Sequence, residues 1–415
     1  MATEQQRTLQ HIPFFEALAS TEEDTSAWRA MSAGLVTLRL FDAWVEDGES
    51  AVSVDSWGLR AVREAIAAVD RRCAQRALLT SVVDAMVASS TMRISTVAPR
   101  LMAYARSLQL DAQWLLATDV YRTVIAHAHP VEDADVVVTA NMHLGACLRT
   151  LAEWNEAAAA YATAGQVAAL TGDIMSVLRS RVSEANIAID RGNLPQAEAI
   201  LDETIARARE MQHAETTALA MHARAHVAYQ RAEYDQAVNL LYGALDGTRE
   251  QRMRDRLLGD IASCFTQLGL RSAARDANLI LAATAQEHFV RWSATINLME
   301  LASLESIEPL FEQYRRELTD QDLPPWLAAH YQLYVGQGYR LFHKPELARQ
   351  ALQRAVELAT ANQINQVLFK AEASLAELEA GRQAKQPVPT AEAAPETLEV
   401  AGAIREMRQL AGVAG

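Results

Sequence analysis

The sequence predicts an all-α fold: a right-handed α-solenoid, or α-α superhelix, built from helix-turn-helix repeats. Three observations carry that expectation. The first is composition. Gly and Pro number only 17 and 11 among 415 residues, and aromatic residues are 6%. Ala, Leu, Glu, Gln and Arg, all strong helix formers, dominate what is left. The second is the stretch 141–164, NMHLGACLRTLAEWNEAAAAYATA. It reads as two short helices folded back on each other. Gly145 and Ala157, twelve apart, let the two backbones come close, with Trp154 and Tyr161 filling the space beside them. The third is period. The second-helix alanines stand at positions 117, 157, 197 and 237, a constant step of 40. A fixed step of that size marks a repeat architecture. Such an array uses a long chain without enlarging any single core.

Taken in order, residues 1–20 read as weakly structured, with Ile12, Phe14, Phe15 and Leu18 able to pack as one turn. Ser20 to Glu23, STEE, has the spacing of a capping box. A helix is expected after it, carrying Trp28, Met31, Leu35, Leu38 and Trp44 and stopped by Asp47-Gly48. Ser56–Val69 and Ala74–Val87 give two more amphipathic helices. Residues 1–97 are thus read as a helical cap over the first repeat, or as a partner-docking module. The repeat occupies 98–380. Its units pair Ala105 with Ala117, Gly145 with Ala157, Ala185 with Ala197, and Ala225 with Ala237. The fifth pairs Ala262 with Ala274, so the step falls to 37. The last clear unit pairs Gly336 with Ala348, two steps of 37 beyond the fifth. A degenerate unit is therefore expected between them, near 286–322, making about seven in all. Residues 381–396 are Pro- and Ala-rich and read as a linker. Residues 397–415 form a short C-terminal helix in which Leu398, Ala401, Ile404 and Met407 step by three. So short a helix does not stand alone in water. It is expected to dock in cis or onto a neighbouring subunit, or to cap the last repeat.

Each unit thus has a small residue in its first helix. After a tight turn come an aromatic residue or Leu, then Ala, then a second aromatic residue or Leu, then a small residue. Over roughly 98–376 this pattern resembles the tetratricopeptide repeat. The usual unit of that family is about 34 residues. Units of 37–40 look like the extended form found in bacterial regulator proteins, including maltose-type activators and peptide-pheromone receptors. The terminal Pro of the family pattern is missing from most units. The chain has no G-x-x-x-x-G-K-[ST] phosphate loop and no helix-turn-helix with a basic recognition helix, so the likeness covers at most the sensor half of those regulators. What the resemblance implies is a superhelix whose first helices line a concave groove for a protein or peptide partner.

Carrying the family's groove positions onto this sequence selects Arg106, Gln109, Met142, Arg149, Arg179, Asn186, Asp190, His222, His226, Tyr229, Arg256, Gln337 and Arg340. Five arginines on a chain of net charge −14 would form a local positive island. Arg recognises carboxylates bidentately, so an acidic or carboxylate-bearing peptide is expected. The same net charge argues against nucleic-acid binding. No apolar run approaches the roughly 20 residues of a membrane span. The N-terminus has no apolar signal core, and three scattered cysteines read as buried free thiols, so a cytoplasmic location is expected. His222 and His226 share a helix face, as zinc-binding pairs do. Yet HARAH lacks the Glu of H-E-x-x-H, and no third ligand is near in the chain. No metal or cofactor is therefore expected, and no catalytic motif argues for an enzyme. The leading reading is a non-enzymatic binding scaffold or adaptor. The alternative is the sensor module of a bacterial regulatory system, binding a small peptide or ligand.

Overall fold

The computed structural model describes residues 10–47, 57–88, 93–362, 364–382 and 393–413. The segment 1–9, Gly48 and Ser56, and most of the expected linker lie outside these residues. Among the described residues every regular element is a helix. The chain divides into two compact units, Met1–Ile200 and Leu201–Gly415.

The first unit begins with α1 (Ile12–Ser20), α2 (Ser26–Asp47), α3 (Trp57–Ala68) and α4 (Ala74–Ala88). The expected STEE box does not start a helix. Ser20 closes α1, its hydroxyl donating to the Ala17 carbonyl at 3.0 Å. The helix start falls five positions later, where the Thr25 hydroxyl accepts from the Trp28 N–H at 3.2 Å. The reason is tertiary. Phe14 is fully buried, and its ring edge lies against Gly34 of α2, so residues 12–20 gain a packed partner and form a full helix. Helical hairpins follow: α5 (Ile94–Leu110) with α6 (Trp114–His127), then α7 (Ala134–Thr150) with α8 (Trp154–Thr171), then α9 (Ile174–Asp190). The next helix, α10 (Leu194–Glu210), carries the division between the units.

The second unit continues with α11 (Ala214–Gln230) and α12 (Tyr234–Gly247), α13 (Gln251–Gln267) and α14 (Arg271–Thr284), and α15 (His288–Leu304) and α16 (Glu308–Thr319). It ends with α17 (Pro325–Leu341), α18 (Pro345–Ala361), α19 (Asn365–Glu379) and α20 (Pro395–Leu410).

The period has a backbone cause. The turn inside each hairpin places one residue in the left-handed region: Ala112, Ala152, Gly192, Ala232, Gly269, Ser306 and His343. The step between these positions is 40 as far as Ala232 and 37 thereafter, as the sequence period requires. The next N–H then reaches back five positions, as from Glu153 to the Leu148 carbonyl at 2.9 Å and from Lys344 to that of Tyr339 at 2.8 Å. This bond closes a Schellman turn and satisfies a carbonyl the helix end leaves open. The second-helix alanines Ala117, Ala157, Ala197, Ala237, Ala274 and Ala348 are all fully buried. At the same place in the α15–α16 hairpin stands Phe311, one step from both Ala274 and Ala348 and also fully buried. Its ring fits because Gly338 of α17 faces it: a Cβ there would lie 2.4 Å from the ring.

Helix α20 packs on α14 and α12, the second helices of their hairpins. Thr397 and Ile404 are fully buried there. Asp235 of α12 accepts from the Ala394 N–H at 2.9 Å and the Thr397 hydroxyl at 2.6 Å, placing a carboxylate at the positive end of α20. At the other end Arg408 and Arg405 reach the buried Asp276 of α14 at 3.2 and 3.6 Å. An Asp276→Asn substitution should weaken this docking by roughly 1–3 kcal/mol, the usual cost of leaving a buried polar group without its partner. Hydrogen exchange should then accelerate across 395–410 while α12 and α14 keep their protection. Unchanged exchange in α20 would show that its apolar face suffices.

Candidate functional site

In the second unit the first helices of the hairpins each leave one face uncovered. On α17, Trp326, His330, Tyr334 and Gln337 recur at helical spacing and form one stripe. Leu327, Leu333 and Val335 point the other way, into the core. The place of Gln337 is held by His226 on α11, Ser263 on α13 and Glu300 on α15, that of Tyr334 by Asp260 on α13, and that of Trp326 by Phe289 on α15, while Tyr229 lies at the surface about one turn beyond His226. Trp326 is 46% exposed. Its ring lies 3.9 Å from that of His330 and 5.9 Å from that of Phe289.

The electrostatics tie these helices into one surface. Burial pushes the Tyr334 hydroxyl above its usual range, and the nearby Glu300 and Tyr229 push it further. Burial raises the Glu300 carboxyl to about 7, against the opposing charge of Lys370 on α19. His330 is lowered by burial, and Lys370 lowers it further.

Between α11 and α13 a cavity of about 300 Å³ opens beside His226, Tyr229, Gln230, Asp260 and Ser263. Tyr229 packs edge-on against Tyr234, with ring centroids 5.2 Å apart. Behind it, the Nε2 atoms of His222 and His226 lie 2.7 and 3.3 Å from the same carboxylate oxygen of Asp260. Burial alone would raise the Asp260 carboxyl, but the two histidine hydrogen bonds outweigh it and hold the group at about 2.

The sequence-derived candidates fall into different surroundings. In the first unit Arg106 and Arg179 are exposed, and Asn186 is half-buried. Gln109 is tied into the hairpins: its amide donates to Cys147 Sγ at 2.8 Å, and its carbonyl accepts from the Tyr121 hydroxyl at 3.0 Å. Met142 packs against the core. Arg149 pairs with Asp190 at 3.5 Å. In the second unit Tyr229 sits at the surface, the His226 side chain is 49% exposed, Gln337 is half-buried and His222 is buried. Arg256 is exposed. Arg340 is buried, because its guanidinium reaches Glu377 of α19 at 2.8 Å. Two of the five arginines, Arg149 and Arg340, thus spend their charge on neighbouring carboxylates. The sequence reading omitted Glu300, Tyr334, Trp326 and Phe289. Glu300 could have been found by register alone: it lies one step of 37 before Gln337 and two such steps after His226.

No protein-family model matches the chain, and no curated protein matches it. Among solved structures, a tetratricopeptide repeat protein from Parabacteroides merdae has 13% identity and a TM-score of 0.42, covering 66% of this chain and 98% of its own. The Rap conjugation gene regulator of plasmid pLS20, solved with the Phr* peptide, has 12% identity and a TM-score of 0.48, covering 81% of this chain and 98% of its own. The apo form of the quorum sensor NprR from B. thuringiensis has 11% identity and a TM-score of 0.43, covering 83% of this chain and 90% of its own.

Proposed function

We propose that the protein is a non-enzymatic, cytoplasmic peptide-binding adaptor, and that its second unit takes a peptide along the exposed face of α11, α13, α15 and α17. The observation that carries this reading is the cavity beside Tyr229. At about 300 Å³ it stands at the small end of ligand pockets. It fits one anchoring side chain, and aromatic and amide side chains continue from it along the neighbouring helices. Tyr and Trp give large contact area with few rotors to freeze, which is why they recur as binding hot spots. A sensor that enclosed a whole small ligand would need a larger and more closed space. Within the first unit, Arg106 and Arg179 suit acidic residues of a partner.

The test is a phage-displayed peptide library selected on the full-length protein. Enriched peptides should bind Tyr229→Ala at least tenfold more weakly, about 1.4 kcal/mol. Failure to enrich any peptide, or equal affinity for the variant, would overturn the proposal.

A further inference from the structure

We propose that His222, His226 and Asp260 form a binding site for a zinc-class divalent transition metal, which cross-links α11 to α13 beside the Tyr229 cavity. The two histidines stand one helical turn apart on α11, so their imidazoles share a face. The third ligand comes from the first helix of the next hairpin, which is why the local sequence around HARAH does not announce it. The three donor atoms all lie within 4.8 Å of one another. The imidazoles are 4.6 Å apart, centroid to centroid, and steeply inclined at 72°, so both Nε2 atoms converge on one point instead of stacking.

The spacing suits the ion. Zinc–nitrogen and zinc–oxygen bonds of about 2.0–2.2 Å in tetrahedral geometry separate neighbouring donors by roughly 3.3 Å. The His226–Asp260 distance is already 3.3 Å. The His222–Asp260 distance of 2.7 Å is that of a hydrogen bond, and replacing its proton with a metal lets the pair open by about half an ångström. Two imidazoles and one carboxylate are borderline donors that favour zinc, cobalt or nickel over calcium and magnesium, which prefer all-oxygen shells. Asp260 supplies a full negative charge to offset the cation. Both His226 and Asp260 border the cavity, so the remaining coordination positions open toward it. This inference stands apart from the peptide reading, because the metal alone is the probe.

The experiment uses the full-length protein stripped with a chelator. Calorimetric titration with Zn²⁺ should show one site per chain. Co²⁺ should develop the visible absorption of an imidazole-bound ion, and Ca²⁺ and Mg²⁺ should give neither signal. His226→Ala removes a ligand at the surface with little burden on the fold. It should weaken Zn²⁺ binding by more than about 100-fold, the upper cost of losing even an outer-shell partner. Asp260→Asn should do the same, with thermal melting followed on both variants. His288→Ala, on α15, should bind Zn²⁺ as the wild type does. Absence of a stoichiometric Zn²⁺ site, or unchanged binding by His226→Ala, would overturn the proposal and leave the cluster as a hydrogen-bonded staple between hairpins.

Discussion

Gly145→Val is expected to destabilise the first unit by about 3 kcal/mol or more, at the upper end of what overpacking costs. A Cβ at Gly145 would sit 2.6–2.8 Å from three ring atoms of Tyr161. That ring is buried, with 3% exposure, and Ala157 and Ala164 beside it are fully buried. The ring therefore has no open space into which to retreat. A β-branched side chain adds two more heavy atoms to the clash and loses rotamer freedom within the helix. The contact is with ring carbons and not with the hydroxyl, so Tyr161→Phe should not rescue the variant. Tyr161→Leu in the same background should recover part of the loss. Urea midpoints of the single and double variants measure both effects. An undiminished midpoint for Gly145→Val would show that α7 and α8 can part without penalty.

The second large effect is expected at His11. Its Nε2 donates to Asp42 at 2.9 Å and its Nδ1 to Asp119 at 2.8 Å, while His127 donates to the other oxygen of Asp42 at 2.9 Å. The network joins α1, α2 and α6. Burial alone would lower the His11 imidazolium, but its hydrogen bonds to Asp119 and Asp42 outweigh burial and raise it to about 9. Burial would raise Asp42, but the hydrogen bonds from His11 and His127 outweigh it and hold that carboxyl at about 2. His11→Ala removes the imidazolium shared by Asp119 and Asp42, leaving Asp42 with His127 alone, and should cost about 3–5 kcal/mol near pH 6.

The sign of the pH dependence follows from linkage. A raised histidine stabilises fully below its ordinary value of 6.5, and the contribution is lost as pH rises through about 9. Asp42, held low, stabilises fully above its ordinary value of 3.8, and that contribution is lost as pH falls through about 2. The difference between wild type and His11→Ala in urea should therefore be large at pH 6 and shrink markedly by pH 10. A difference that stays the same at both pH values would assign the effect to lost packing and not to charge.

How much of this was legible in the sequence differs from residue to residue. The candidate face was legible in part. His222, His226 and Tyr229 came from repeat register. Glu300 was within reach of the same arithmetic, but the unit that holds it gave no small-residue marker by which to set the register. That marker failed because Phe311 occupies the alanine position, and only the three-dimensional pairing with Gly338 shows why a ring is tolerated there. Arg149 and Arg340 looked available because helical spacing tells which way a side chain points. It does not tell which carboxylate from the next helix meets it.

The sequence by itself determined the helical class and the steps of 40 and 37, because both rest on local physics. Helix propensity, a left-handed turn residue every unit and a buried small residue at fixed spacing all act within a single hairpin. Only the tertiary structure decided that α1 is a full helix against Gly34, that α20 lies on α12 and α14, and that Asp260 meets His222 and His226. Each depends on contacts between residues far apart in the chain, where burial and charge pairing outweigh any local preference.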